Sequence, residues 1–491
     1  MADLQSINAR TGQPLGAAWA ASTAEEIDAA VAAAAQAAAL FAATSAAERA
    51  ALLRDLAEAL LAGRDTLVPL ADRESGLGLA RLGGELDRTA FQLRGFADVL
   101  ERGIVHAVID DAAVAGMPPA GRPRMLRVRV PLGPVAMFSA SNFPFAFSVL
   151  GGDTAAALAA GCPVVVKSHP AHPELSRQTV ALARQVVAAR GLPVGVFQSV
   201  EGAAVETGVR LVQAPAIAAV AFTGSFHGGM ALARVAAERA RPIPFYGELG
   251  SVNPLVVLPP VVPSQGAALA ETLAASICQG AGQFCTSPGL VIVRQDAAGD
   301  AFVQALADRL VAQTPHAMLT PGIRHAFEQG VSAWSCHAGV QTLVPGGAGM
   351  DALPRPFLGQ VQAGDFIADA RLQTEVFGAA ALVVRVDSLA QTLAVLRAVG
   401  GALTVTLWGA DSDTPEHRDL VRAATQVAGR VLFAGVPTGV AVTAAQQHGG
   451  PFPASTAPAT TSVGYAALDR FLRPVALQEA PAWVVNCRGL V

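Results

Sequence analysis

The chain has 491 residues, 52% of them hydrophobic and 15% charged, with a net charge of -4. A chain this long predicts two or three domains, its apolar content excludes a disordered protein, and the lack of a basic run excludes nucleic acid as a partner. Cysteines stand at 162, 278, 285, 336 and 487 with no CxxC pair, which argues against a disulfide framework or a zinc site and for a reducing compartment.

From the N-terminus, Met1-Ala2-Asp3-Leu4-Gln5 carries no basic segment. The apolar stretch Ala29 to Phe41 follows Glu25, Glu26 and Asp28 and is short for a membrane span, so a soluble cytoplasmic protein with no membrane partner is expected. Thr23-Ala24-Glu25-Glu26 has the form of a capping box and predicts a helix over 23–43. Leucines at 52, 53, 56, 60 and 61 predict a second helix over 46–62, and a third is predicted over 84–102. Arg127-Val128-Arg129-Val130 alternates like a strand with one wet face. Short apolar runs at 135–138, 164–166 and 195–200, with helical stretches at 153–160 and 180–189 between them, predict parallel βαβ units. The pattern restarts after Gly250, with strands at 254–258, 289–293, 380–386 and 403–408 and helices at 267–277 and 302–312. The last segment, Pro481 to Cys487, is predicted as a detached apolar strand that adds to another sheet.

Cys285 lies in Gly280-Ala281-Gly282-Gln283-Phe284-Cys285-Thr286-Ser287, where the glycines admit close approach of a ligand. A thiolate attacks an aldehyde to give a thiohemiacetal, and loss of hydride to a nicotinamide then leaves a thioester. Glu248, isolated in Tyr246-Gly247-Glu248-Leu249-Gly250, suits a general base whose pKa is raised by partial burial. Asn142, in Ser141-Asn142-Phe143-Pro144-Phe145, suits an oxyanion donor. Lys167 ends the apolar run Val164-Val165-Val166, where open α/β sheets bind ligands. Phe222-Thr223-Gly224-Ser225-Phe226-His227-Gly228-Gly229 reads as a strand end, a turn and a helix start that favour a pyrophosphate. Each residue also has a plainer reading: a buried inert thiol, a cap or ion-pair carboxylate, a turn asparagine and a surface lysine. His169 and His172 have no third ligand type beside them, so no metal is expected. GxSxG and P-loop patterns are absent.

Taken in order, Asn142, Lys167, Gly224-Ser225, Glu248, Cys285 and Glu375-Val376-Phe377-Gly378 resemble the NAD(P)-dependent aldehyde dehydrogenase superfamily over nearly the whole chain. The resemblance implies an aldehyde dehydrogenase-like α/β fold, with a Rossmann-like cofactor domain over 1–112 and 132–250 and a catalytic domain over 251–465. A small β oligomerisation arm would comprise 113–131 and 475–491, in a homodimer or homotetramer. It implies Cys285 as nucleophile, Glu248 as base and Asn142 as oxyanion donor. Phe138, Ser139, Lys167, Ser168, Gly224, Ser225, Gly229, Glu375 and Phe377 would contact NADP or NAD. The segment Arg81 to Arg94 and the Gln283-Phe284-Cys285-Thr286 setting look like those of the 2,5-dioxovalerate (α-ketoglutarate semialdehyde) dehydrogenases. Arg88 and Gln92, one helical turn apart, with Phe143 and Phe452, would then meet the aldehyde. Two departures stand out: Ala379 replaces the usual proline, and Pro170 takes the place of a glutamate that holds the ribose 2′-OH in many NAD-preferring members, which tilts the expectation to NADP. A medium-chain aldehyde dehydrogenase, a CoA-acylating relative and a catalytically silent binding protein on the same scaffold are the alternatives.

Overall fold

A computed structural model describes residues 3–105, 108–348 and 353–486. Four helices lead: α1 (Ala24–Ala42), α2 (Ala46–Ala62), α3 (Arg64–Ser75) and α4 (Leu79–Glu101). The first two begin in reciprocal capping boxes, Thr23 with Glu26 and Ser45 with Glu48, which satisfy otherwise unpaired backbone N–H groups. Helix α4 starts upstream of the predicted position and carries Gly83 and Gly84 in its interior. Burial of Leu82, Leu86 and Leu93 outweighs their poor helix propensity.

Two short strands, β1 (Ile109–Asp111) and β2 (Met125–Pro131), precede the first large sheet. That sheet is built from β3 (Val135–Phe138), β4 (Val164–Lys167), β5 (Phe197–Val200), β6 (Ala219–Thr223) and β7 (Phe245–Glu248). Helices α5 (Gly152–Ala160), α6 (Pro173–Ala189), α7 (Val205–Gln213) and α8 (Phe226–Ala237) connect them. All strand pairs are parallel and the order is β5-β4-β3-β6-β7, so the chain reverses its direction of winding between β3 and β6. Alternate residues separate the two faces. Val135 and Met137 join the core beneath α2 and α4, while Ala136 and Phe138 join the core beneath α1.

The second sheet begins with β8 (Pro254–Val257), α9 (Val262–Cys278), β9 (Leu290–Arg294), α10 (Ala297–Val311), α11 (Pro321–Ser335) and β10 (Val340–Val344). A two-strand ribbon, β11 (Gly347–Ala348) with β12 (Pro354–Arg355), precedes β13 (Phe357–Gln362) and α12 (Ala363–Ala368). Then come β14 (Ala380–Val386), α13 (Leu389–Val399), β15 (Ala402–Trp408), α14 (Pro415–Val427) and β16 (Ala428–Leu432). The order is β10-β13-β14-β9-β8-β15-β16, parallel except for β10.

The C-terminal expectation needs correction. The strand is β17 (Leu472–Gln478), which pairs antiparallel with β2, and the predicted strand at its end is instead the short helix α15 (Ala482–Asn486). Val484 N–H closes a turn on the Pro481 carbonyl, and Pro481 cannot donate to a ladder. Cys487 lies outside the described residues. No helix among the described residues is long and apolar enough to cross a membrane.

Candidate active site

The first sheet ends at its switch point, the crevice where open α/β sheets bind ligands. Asn142 follows β3, Gly224 and Ser225 follow β6, and Glu248 ends β7. Cys285 comes from the loop between α9 and β9, and Glu375 and Phe377 from the loop before β14. These residues line one cavity of about 310 Å³.

The thiol loop is held from several sides. Gly280, Ala281 and Gly282 have φ of +56°, +59° and +70°, a left-handed run that turns the chain out of α9. A Cβ on Gly282 would overlap the Gly378–Ala379 backbone, so this glycine lets the thiol loop and the Glu375 loop touch. The close approach that the glycine serves is thus by protein backbone, where a ligand was expected. Buried Gln283 bonds the Gly280 carbonyl at 2.9 Å and accepts from Leu319 N–H at 2.9 Å. Asn253, fully buried at φ +46°, donates to the carbonyls of Cys285 and Ser287 at 2.8 and 2.9 Å.

Around the sulfur the chain places a group that was not anticipated. Cys285 Sγ is 3.6 Å from His448 Nε2, and the same nitrogen is 3.0 Å from Glu248 Oε1. The Ser462 hydroxyl donates to Glu248 Oε2. The segment 448–462 folds back over the end of β7, where Leu249 N–H meets the Ala454 carbonyl at 2.8 Å, and so delivers both His448 and Ser462. Burial pushes the Cys285 thiol well above its ordinary value; the charges of Glu248 and Glu375 add to this and Arg88 opposes it. Glu248 goes the other way from expectation. Its burial pushes the carboxyl up, but the His448 charge and hydrogen bonds from His448, Ser462 and Cys285 outweigh burial and hold it below the usual range.

Helix α4 organises the asparagine loop. Arg81 donates to the Asn142 carbonyl at 2.8 Å and lies over the rings of Phe143 and Phe284, at 5.2 and 4.5 Å. Glu85 accepts from Phe145 and Ala146 N–H at 2.8 and 3.0 Å. The Asn142 amide gives one N–H to the Gln283 carbonyl at 3.0 Å and has a second to offer into the cavity.

The comparisons bear on this constellation. The chain matches the aldehyde dehydrogenase family over residues 2–450. The chain belongs to the aldehyde dehydrogenase family. It is 40% identical to the alpha-ketoglutaric semialdehyde dehydrogenase of Acinetobacter baylyi, over 97% of this chain and 90% of that one. It is 44% identical to alpha-ketoglutaric semialdehyde dehydrogenase 2 of Azospirillum brasilense, over 88% of this chain and 83% of that one. In fold it resembles a putative aldehyde dehydrogenase from Burkholderia cenocepacia, with TM-score 0.82 at 23% identity over 98% of this chain and 95% of that one. It likewise resembles aldehyde dehydrogenase 21 of Physcomitrella patens, with TM-score 0.81 at 21% identity over 98% and 96% of the two chains.

Aldehyde dehydrogenases use a nicotinamide dinucleotide, and the residues present fit one. The buried hydroxyls of Ser139, Ser168 and Thr223 have no hydrogen-bond partner among the described residues, and all three sit at the ends of β3, β4 and β6. Lys167, at the end of β4, is pushed down to about 8 by burial. Ser225 caps α8 through its hydroxyl, leaving that helix N-terminus open to an anion. Gly229 lets α8 lie against β6 and the chain beyond β7, since a Cβ there would strike Leu249 and Phe222. Glu375 is pushed up to about 7 by burial, against the Ser251 backbone N–H. Phe138 is buried against Phe222.

The residues assigned to the aldehyde divide. Arg88 donates to the Val440 carbonyl at 3.4 Å, lies over the Phe147 ring and feels the charges of Cys285 and Glu248. Phe143 stacks edge-on with Phe284. Gln92 is buried beside Gly152, and its amide nitrogen has no hydrogen-bond partner among the described residues. Phe452 is exposed and packs on Phe226, at the start of α8. A second arginine joins from β16: Arg430 donates to the Gly439 and Pro437 carbonyls at 2.6 and 2.5 Å and feels the charge of Cys285. His448, Ser462, Asn253, Arg81 and Arg430 escaped the reading of the sequence. The one signal for His448 was its place before Gly449-Gly450, the same polar, glycine-flanked setting that singled out Cys285.

Proposed function

We propose that this enzyme oxidises α-ketoglutarate semialdehyde (2,5-dioxopentanoate) to 2-oxoglutarate through a thioester on Cys285, with NADP preferred to NAD. The observation that carries the mechanism is the convergence of thiol, carboxylate and carboxamide on one cavity. Cys285 Sγ attacks the aldehyde carbon, and the oxyanion is received by the second Asn142 N–H and the Cys285 backbone N–H. The dinucleotide, when bound, supplies a hydride acceptor. Lys167, Ser139 and Ser168 would hold its adenosine half, Ser225 and the α8 N-terminus its pyrophosphate, and Glu375 and Phe377 its nicotinamide riboside. Glu248 then activates the water that hydrolyses the thioester.

The substrate reading draws on two arginines, Arg88 and Arg430, near enough to the thiol for its charge to act on them, an arginine being a natural partner for a carboxylate. The names of the two semialdehyde dehydrogenase relatives point the same way. The NADP preference rests on Lys167, which has no carboxylate partner among the described residues and has Pro170 beside it. We also place the enzyme in the cytoplasm, in keeping with the free thiols of Cys162, Cys278, Cys285 and Cys336, and in a homodimer or homotetramer.

Initial rates with the semialdehyde and with hexanal, each with NADP and NAD, test the reading. Semialdehyde with NADP should have the highest kcat/KM. Arg88→Ala should lower it about 10- to 100-fold, the worth of a charged hydrogen bond, and lower hexanal turnover much less, since only the support that Arg88 gives the thiolate is lost there. Equal use of hexanal by the wild type would defeat the substrate assignment.

A further inference from the structure

We propose that Cys285, Glu248 and His448 form a reversible inhibitory site for a zinc-type divalent cation, which takes the sulfur and the base out of the reaction. The inference goes beyond the oxidation above and does not depend on which aldehyde the enzyme uses. From the sequence no metal is expected, since His169 and His172 stand without a third ligand type; the fold assembles a different set.

Among the described residues, one group of three metal-ligating side chains comes together. One donor atom from each of Glu248, Cys285 and His448 lies within 4.8 Å of the other two. Cys285 Sγ is 3.6 Å from His448 Nε2, which is 3.0 Å from Glu248 Oε1. Zinc bonds of about 2.3 Å to sulfur and about 2.0 Å to nitrogen or oxygen, at tetrahedral angles, set these separations at about 3.5 and about 3.3 Å. The donors thus stand close to their ligating positions. Thiolate, imidazole and carboxylate are zinc's usual donors, and a fourth position opens on the cavity that Cys285 and Glu248 line, for a water. The groups that orient the ligands are also in place. Ser462 holds Glu248 through Oε2, which leaves Oε1 for the metal. Thr461 and Ser462 fix the His448 backbone through its N–H and its carbonyl.

The binding step balances. Without metal, Nε2 carries the hydrogen that faces the ionised Glu248, and Cys285 keeps its thiol proton. On binding, the imidazole proton moves to Nδ1, which has no hydrogen-bond partner among the described residues in either tautomer. The S–H bond breaks, its proton leaves to solvent, and the sulfur pair goes to the metal. A dication with one thiolate, one carboxylate and one neutral imidazole carries no net charge, which favours its burial. Glu375 also favours a cation beside the sulfur, and Arg88 and Arg430 oppose it. With its lone pair on the metal the sulfur does not attack an aldehyde, and the ligated Glu248 does not take a proton from water.

Zinc chloride is titrated by calorimetry into the cofactor-free enzyme, with no aldehyde present. Wild type at micromolar concentration should bind one equivalent, lose aldehyde oxidation, and regain it with EDTA. Cobalt(II) in place of zinc should give a thiolate-to-metal charge-transfer band that Cys285→Ser lacks. His448→Ala and Glu248→Gln should each weaken zinc binding at least ~10-fold, since even groups behind the ligands are worth that much. Cys336→Ser, which removes an exposed thiol, should bind zinc as wild type does. No zinc binding or no cobalt band in wild type would overturn the proposal. So would wild-type affinity in either His448→Ala or Glu248→Gln, or loss of binding in Cys336→Ser. Should His448→Ala not fold, Glu248→Gln and the cobalt spectrum decide. Failure of semialdehyde oxidation with zinc binding intact would instead remove the substrate assignment and leave the metal site in place.

Discussion

At the scale of single residues, the chemistry turns on which buried charges the fold leaves uncompensated. Glu248 shows how a neighbour reverses an expectation: burial alone would raise its carboxyl, and His448 with Ser462 lowers it. It is therefore ionised through the whole neutral range and ready to orient water, at the cost of weaker basicity. Lys167 is the opposite case, a cation pushed down to about 8 with burial as its only cause. Its folded pKa lies below the unfolded value of 10.5, so the unfolded chain binds more protons between the two, and stability rises as pH rises through that window. Below pH 8 the penalty is present in full. Lys167→Met should therefore raise the Tm of the cofactor-free protein at pH 7, on the order of 2 °C, and the gain should vanish above about pH 10.5. The same variant should bind NADP at least ~10-fold more weakly by titration calorimetry. A Tm difference that does not change with pH would contradict this account.

At the scale of elements, the site depends on loops that touch where only glycine permits it. Gly282, at φ +70°, faces the Gly378–Ala379 backbone with no room for a methyl group. The two loops carry Cys285 on one side and Glu375 with Phe377 on the other, so their contact sets the separation between the thiol and the proposed nicotinamide site. Gly282→Ala adds overpacking and backbone strain and should cost about 3 kcal/mol. The expected signature is a lower midpoint in urea together with a kcat loss greater than the change in NADP affinity. Unchanged kcat in a folded variant would show that the contact does not position the thiol. Helix α4 plays a comparable part: Arg81 and Glu85, in the segment that resembles the semialdehyde enzymes, hold the Asn142 loop by its backbone, so that its side chain bonds the Gln283 carbonyl with one N–H and keeps the other for the cavity.

At the scale of the whole molecule, two mainly parallel sheets contribute to one cavity, and a third sheet stands apart. In that sheet, ordered β1-β2-β17, β1 and β17 are the edge strands, and Ile109 on β1 with Val114 and Met117 in the loop after it are exposed, Met117 by 82%. An open strand edge beside exposed apolar side chains is a surface that a second copy of the chain would cover. Sedimentation should give a dimer or tetramer for wild type and a smaller species for the pair Ile109→Glu and Met117→Glu. A wild-type monomer at micromolar concentration would exclude the proposed assembly.

Periodicity and punctuation in the chain determined most elements and the order of the motifs, because capping boxes, alternating strands and glycine stops act over a few neighbouring residues. Cys285, Glu248 and Asn142 were legible for the same reason: each breaks the local apolar pattern in a way that a core would not choose. What lay beyond the sequence was distance. His448 reaches the thiol from 163 positions away, and Arg430 and Ser462 come from comparably remote segments. The fold alone brings Ser462 and His448 onto Glu248, and with them the sign of its pKa shift, because Coulomb and hydrogen-bond terms depend on separation in space and not along the chain.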